Sequence, residues 1–286
     1  MKRLLYCDFK RVLKDRLFLV LCIVGAVFAL TTPLMYAAIF KGMGLDTMMG
    51  VEEGSTADLY AMLGIAIDAK TMFFSSFSLA NNFGLVAPVL LSIVLCKDFS
   101  YGTIRNKIIS GNSRITVFLS MFIVCFCVLF GVMFCGALIS MLVGLCFFPF
   151  SVSGFSGEII GYFFASLGLE AVLFLFLASL VTFLCTRAKN AGVAVVLYAA
   201  IVMVMTLVGS ILTMGELVLA LDPAKEGFLK LVEFIEKINV FGYSTVIGVG
   251  ESYDLKTALF CAVTPFVGAA GLAALGAFAF KRKDIK

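Results

Sequence analysis

The sequence contains no histidine and no tryptophan, only five prolines, and charged side chains at just 14% of its 286 residues. Each shortage closes a route. Without histidine there is no His-Glu-x-x-His metal site and no imidazole for acid–base work. Without tryptophan, the aromatic belt of a membrane protein falls to Tyr and Phe, with Tyr36, Tyr101, Tyr162 and Tyr198 near the ends of apolar runs. No Gly-x-x-x-x-Gly-Lys-Ser/Thr stretch is present, so the chain does not hydrolyse ATP through a phosphate loop. A Gly-x-Ser-x-Gly elbow is missing too, since Gly154-Phe155-Ser156-Gly157 breaks the spacing. We therefore expect no enzyme, and assign no catalytic, cofactor-binding or metal-ligating residue.

Apolar surface fills the space that charge leaves. Apolar residues make up 62% of the chain and the mean hydropathy is +1.10, whereas soluble domains carry about 25% charge. The runs 17–40, 115–148 and 191–214 hold no Asp, Glu, Lys or Arg. About 20 apolar residues in a helix cross a hydrocarbon core about 30 Å thick. Six spans are expected, at 17–40, 73–96, 115–148, 159–184, 191–214 and 257–280. The expected fold is all-α, a polytopic membrane bundle forming one domain over 1–286. The gaps 41–72 and 215–256 are too short for a large soluble core. A cleaved signal peptide is the other reading of the first run. Its 24 residues exceed the usual apolar core of about 7–15, and no convincing small-x-small cleavage site follows.

Orientation follows from charge. With the N-terminus inside, sixteen of the 22 Lys and Arg fall on inner segments and six on outer ones, as short cytoplasmic loops require. Both termini are then cytoplasmic. The nine cysteines lie in spans or on the inner side, so a disulfide framework is not expected. Cys125 and Cys127 are two apart and face differently on a helix, a poor metal pair. The cysteines read as small hydrophobes.

Residues 2–16 carry an apolar stripe at Leu5, Phe9, Val12 and Leu13 among basic side chains. That spacing fits an amphipathic helix in the inner interface, and the basic content equally fits an ordinary cytoplasmic flank. The run 115–148 would make about 51 Å of helix, so it must tilt, protrude or break near Gly131, Gly136 or Gly144. On the outer side, Asp222-Pro223 starts a helix whose pairs Glu226/Lys230 and Glu233/Lys237 have the favoured order. The Gly-rich stretch that follows, to about 254, suits a short re-entrant or interfacial element. Glu170 is the one acid expected deep inside a span, and Asn81 and Asn82 intrude on the second. All three are candidates for a transport path, with hydrogen bonding to Ser166 or a neighbouring helix as the structural alternative.

In the inner loop 97–114, residues 103–109 can form a short helix ended by Gly111. Ile104 and Ile108 share a face there, flanked by Arg105 and Lys107, which suits either a docking ridge or an ordinary basic loop. Asp98, Gly102, Thr103, Ser113 and Arg114 stand in the order acidic-x-x-x-Gly-Thr, basic and apolar residues, then Ser-Arg. In this the chain resembles the permease subunits of type-2 ATP-binding-cassette exporters. Asp98 replaces the commoner glutamate, and Gly111-Asn112 stands where proline is frequent. The resemblance extends to the six-span plan, the basic N-terminal helix, the outer helical segment and the basic tail.

The resemblance implies that residues 97–114 form a coupling helix seated on a separate ATPase subunit. Two ATPase copies would bind ATP and magnesium, and two permeases, identical or homologous, would enclose the path. ATP binding would switch the bundle from inward to outward access. The cargo would be an amphipathic or apolar peptide, drug or lipid leaving the cell across the plasma membrane. No nucleic-acid partner is expected. An ion-gradient-driven secondary transporter is the alternative, weakened by a single buried acid and no internal repeat.

Overall fold

Long uncharged runs have one economical way to satisfy their backbone in lipid, the helix. The computed structural model describes residues 1–42, 68–77, 82–148, 157–188, 190–219, 235, 239–243, 247 and 255–282, and these are almost wholly helical. The helices are α1 (Lys2–Lys14), α2 (Arg16–Gly42), α3 (Ala69–Ser75), α4 (Asn82–Ser100) and α5 (Thr103–Ile109). Then come α6 (Arg114–Gly144), α7 (Gly157–Arg187), α8 (Ala191–Leu219) and α9 (Leu255–Arg282). Among the described residues there is no strand. Among the described residues, five helices are long and apolar enough to cross a membrane. The pair α4–α5, bent by 57°, brings the number to six if counted as one span. The chain is an all-α, multi-pass membrane bundle.

One expectation about the spans is corrected. The second span is not one helix over 73–96, because Phe73 lies in α3 and a fresh helix starts at Asn82. Asp68 caps α3, accepting from the Thr71 N–H at 2.6 Å, and a turn at 76–77 ends it. Of the three glycines at which the third run was expected to break, Gly144 is where the helix ends. It runs unbroken from Arg114 to that point, where Met72 and Ala69 of α3 crowd the backbone.

The two ends of the bundle are set by contacts. At one end, Arg114 at the start of α6 donates to the Lys281 carbonyl at 2.9 Å. There Phe280 packs against Phe99 and Phe118. At the other end, Ser140 of α6 donates to the Met72 carbonyl at 3.4 Å. So α1 and the end of α9 share one face of the bundle, the basic one, which is the face that the charge distribution leads one to expect on the cytoplasmic side. Toward the outer end, Phe73 of α3 and Phe77 of the turn that follows it meet Phe130 and Phe134 of α6 and Phe163 and Phe174 of α7. Such ring pairs add about 0.5–1.5 kcal/mol each beyond simple burial.

Helices α7 and α9 run in parallel and pack closely along their length. A Cβ at Gly268 would meet the Phe176 ring at 2.9 Å, and one at Gly276 would meet Phe118 at 2.7 Å. Hydrogen at both positions is what lets α9 approach.

The expected outer helix from Asp222, with its two charge pairs, lies outside the described residues. A short stretch after it is visible inside the bundle. Asn239 is buried and donates to the Met205 carbonyl of α8 at 3.2 Å, ahead of a 3-10 turn at Val240–Gly242. Phe241 packs edge-on against Phe176 of α7, and Tyr243 is hydrogen-bonded to Thr264 of α9. Met205, Phe176 and Thr264 all lie well inside their helices, so residues 239–243 sit within the bundle.

Candidate coupling site at the inner face

Helix α1 forms because its apolar residues recur at helical spacing, and it stops at Asp15, whose backbone turns extended (φ −71°, ψ 136°). The Asp15 side chain then caps the next helix, accepting from the Leu17 N–H at 2.9 Å. Val12 of the stripe is buried and Leu5 and Phe9 pack on the core, so α1 lies against the start of α6. The segment 2–16 is helical over Lys2–Lys14, with Leu5, Phe9 and Val12 of its stripe turned to the bundle.

That placement brings together charges far apart in sequence. The Lys107 ammonium of α5 lies 2.6 Å from Asp8 Oδ1 and 3.4 Å from Asp98 Oδ2. Arg11 also pairs with Asp98, and lies 4.0 Å from Asp8. Ser120 of α6 donates to Asp8 Oδ2 at 2.7 Å. Asp8 and Asp98 are buried, so their charges are tolerable only because cations and a hydroxyl surround them. Four elements, α1, α4, α5 and α6, meet at this cluster. A more exposed pair braces it, with Lys97 Nζ 2.9 Å from Asp15 Oδ2. Partial burial pushes the Asp15 carboxyl up, but the Leu17 N–H and the Lys97 ammonium outweigh it and hold the group below its usual value.

Helix α5 is fixed on the cluster by its entry and exit. Gly102 (φ +67°) and Gly111 (φ +92°) both take the left-handed backbone, which glycine adopts without the clash a Cβ brings. Thr103 opens the helix. Ser113 caps α6 by accepting from the Thr116 N–H at 3.2 Å.

One expectation about this helix is corrected. Ile104 does not stand on an outward ridge. It is 1% exposed, and Ile108 packs partly against the same core. The outward surface carries Tyr101 (76% exposed), Arg105 and Ile109 (72% exposed) instead. Binding Lys107 to Asp8 rotates α5 so that 104 and 108 face the bundle. Beside this surface, α1 and α5 border an open basin of about 890 Å³ lined by Lys2, Arg3, Arg11, Thr103, Lys107 and Asn112 among others.

No family model and no curated protein matches this chain. The chemistry of the site therefore rests on its own geometry. Among the described residues no cluster of metal ligands occurs.

The transport-path candidates are dispersed. Glu170 on α7 is 0% exposed, and neither carboxylate oxygen has a hydrogen-bond partner among the described residues. The bond to Ser166 offered as the structural alternative is not made, and that hydroxyl donates to the Tyr162 carbonyl at 2.8 Å. Cys261 of α9 lies within electrostatic reach of Glu170. Asn81 lies outside the described residues, as does the side chain of Asn82, the first residue of α4. Sequence reasoning passed over Asp8, Arg11 and Ser120 as site residues. The available signal was two acids, Asp8 and Asp15, within an otherwise basic segment.

Proposed function

We propose that this chain is the permease subunit of an ATP-driven exporter in the cell membrane, working with a separate ATPase subunit of the ATP-binding-cassette type. The observation that carries the reading is the fastening of α5 to α1, α4 and α6 through Lys107, Asp8, Asp98 and Arg11. A seven-residue helix with a loose attachment would absorb a push. One clamped through buried ion pairs passes it to two membrane helices and to the amphipathic helix together. The Tyr101, Arg105 and Ile109 surface and the adjoining basic basin are where the ATPase would seat.

The cargo is an amphipathic or hydrophobic molecule, consistent with long apolar helices in which Glu170 is the only acid well inside α7. Glu170 marks the path, since an unpartnered buried carboxyl is a functional group until shown otherwise. The test is purification from the native membrane, followed by assay for a co-purifying phosphate-loop ATPase and for substrate-stimulated ATP hydrolysis. An ATPase that accompanies wild type, but not a variant altered at Arg105 and Ile109, supports the assignment.

A further inference from the structure

An apolar groove of about 340 Å³ runs up the face of the bundle between α1–α2 and α6. Phe9 and Leu13 of α1 close its inner end, Cys22 of α2 lines one wall, and Gly131, Val132 and Cys135 of α6 line the other. On α6 the lining extends from Cys127 to Ile139, about 18 Å at 1.5 Å per residue. One leaflet of a hydrocarbon core is about 15 Å deep. The groove therefore has the length of a single acyl chain, and it begins at the inner interface.

Charge indicates what kind of lipid fits. Arg11, Lys97 and Lys107 are committed to Asp8, Asp15 and Asp98. Lys10 and Lys14, each following a groove residue in α1, and Arg16 at the start of α2 are exposed and make no ion pair among the described residues. Lys14 and Arg16, with Lys10 whose ammonium also lies 5.8 Å from the Tyr6 ring centroid, thus stand close in sequence to the residues at the groove's inner end. A second copy of the chain meeting this face through a two-fold axis would set those cations against themselves with no acid between. A basic cluster at the cytoplasmic end of an interhelical groove suits an anionic headgroup.

We propose that this groove holds one acyl chain of an anionic phospholipid, with its headgroup on Lys10, Lys14 and Arg16. The bound lipid fills the gap between α2 and α6 and tethers α1 to the inner leaflet. This inference does not depend on the transport reading.

The experiment uses the full chain in nanodiscs with a phosphatidylglycerol bearing a diazirine in its acyl chain, photolysed and mapped by mass spectrometry. Adducts are expected at Cys22, Cys127 and Cys135, competed by unlabelled phosphatidylglycerol at about one-tenth the amount of phosphatidylcholine needed. A Cβ at Gly131 would meet open space, so G131L should fill the groove and abolish the adducts, with G131A, which adds that Cβ alone, as the control that keeps both the adducts and the circular dichroism melt. The triple variant K10Q/K14Q/R16Q should lose the preference for the anionic lipid. Equal competition by the two lipids, or labelling that survives G131L, means annular lipid only and overturns the proposal. Groove cysteines shielded from both lipids, with chain-to-chain cross-links there, overturn it in favour of a second copy.

Discussion

The Lys107 ammonium lies 2.6 Å from the Asp8 carboxylate, joining residues that are 99 positions apart in the chain. This pair, shared with Asp98 and Arg11, makes the inner face one mechanical unit. Removing one member of a buried ion cluster leaves the other charges uncompensated, at about 3–5 kcal/mol. K107A should therefore lower the melting temperature of the purified protein markedly. The exchange D8K/K107D should recover part of the loss, and a melt unchanged in K107A would contradict the cluster's role.

Surface and core on α5 should separate cleanly. I104D puts a charge where the side chain is 1% exposed, and it should prevent stable folding, because an unpaired buried charge ionises only at great cost. R105E with I109D alters exposed positions and should leave the melt within about 0.5 kcal/mol. That variant should nevertheless lose the ATPase subunit on affinity purification.

Glu170 makes no hydrogen bond to the described residues, so E170Q should fold with an unchanged melt. If the carboxyl meets cargo, transport or cargo-stimulated ATP hydrolysis in E170Q falls by roughly 10–100-fold, the equivalent of one charge-assisted hydrogen bond. Wild-type rates in E170Q would remove Glu170 from the path.

The close approach of α9 is a separate test of packing. G276A sets a Cβ 2.7 Å from the Phe118 ring, and overpacking of this kind costs about 1–3 kcal/mol. Pairing it with F118L should relieve the clash, measured as recovery of the melting temperature.

Acid should loosen the Asp15–Lys97 brace. The folded carboxyl is held below its usual value of 3.8, so its contribution is fully present above that pH and lost as pH falls through the lower folded value. For a half-exposed pair the contribution is about 0.2–1 kcal/mol. D15N should remove this component of the acid dependence while leaving neutral-pH stability slightly reduced.

The sequence made most of the helices readable, because long uncharged runs leave the backbone no other arrangement in lipid. The edges of α7, α8 and α9 fall within a few residues of the apolar runs that announced them. The division of the second span between α3 and α4 was hidden, since Phe73, Phe74 and Phe77 are as apolar as any membrane helix. The position of α5 was legible from Gly102 and Gly111, but its facing was not. With isoleucines at 104, 108 and 109, the pattern offers more than one apolar side. The choice between them is made by Asp8, on a helix whose pairing with Lys107 no local spacing reveals. Asp98 was singled out by a motif, while Asp8 and Arg11 needed the fold.

The most direct measurement is ATP hydrolysis by the complex purified from native membranes through a tag on this chain. The account predicts a co-purifying phosphate-loop ATPase whose vanadate-sensitive turnover leaves the preparation when Arg105 and Ile109 are replaced. A wild-type preparation that carries no nucleotide-binding protein, yet still moves cargo into vesicles without ATP, would contradict it.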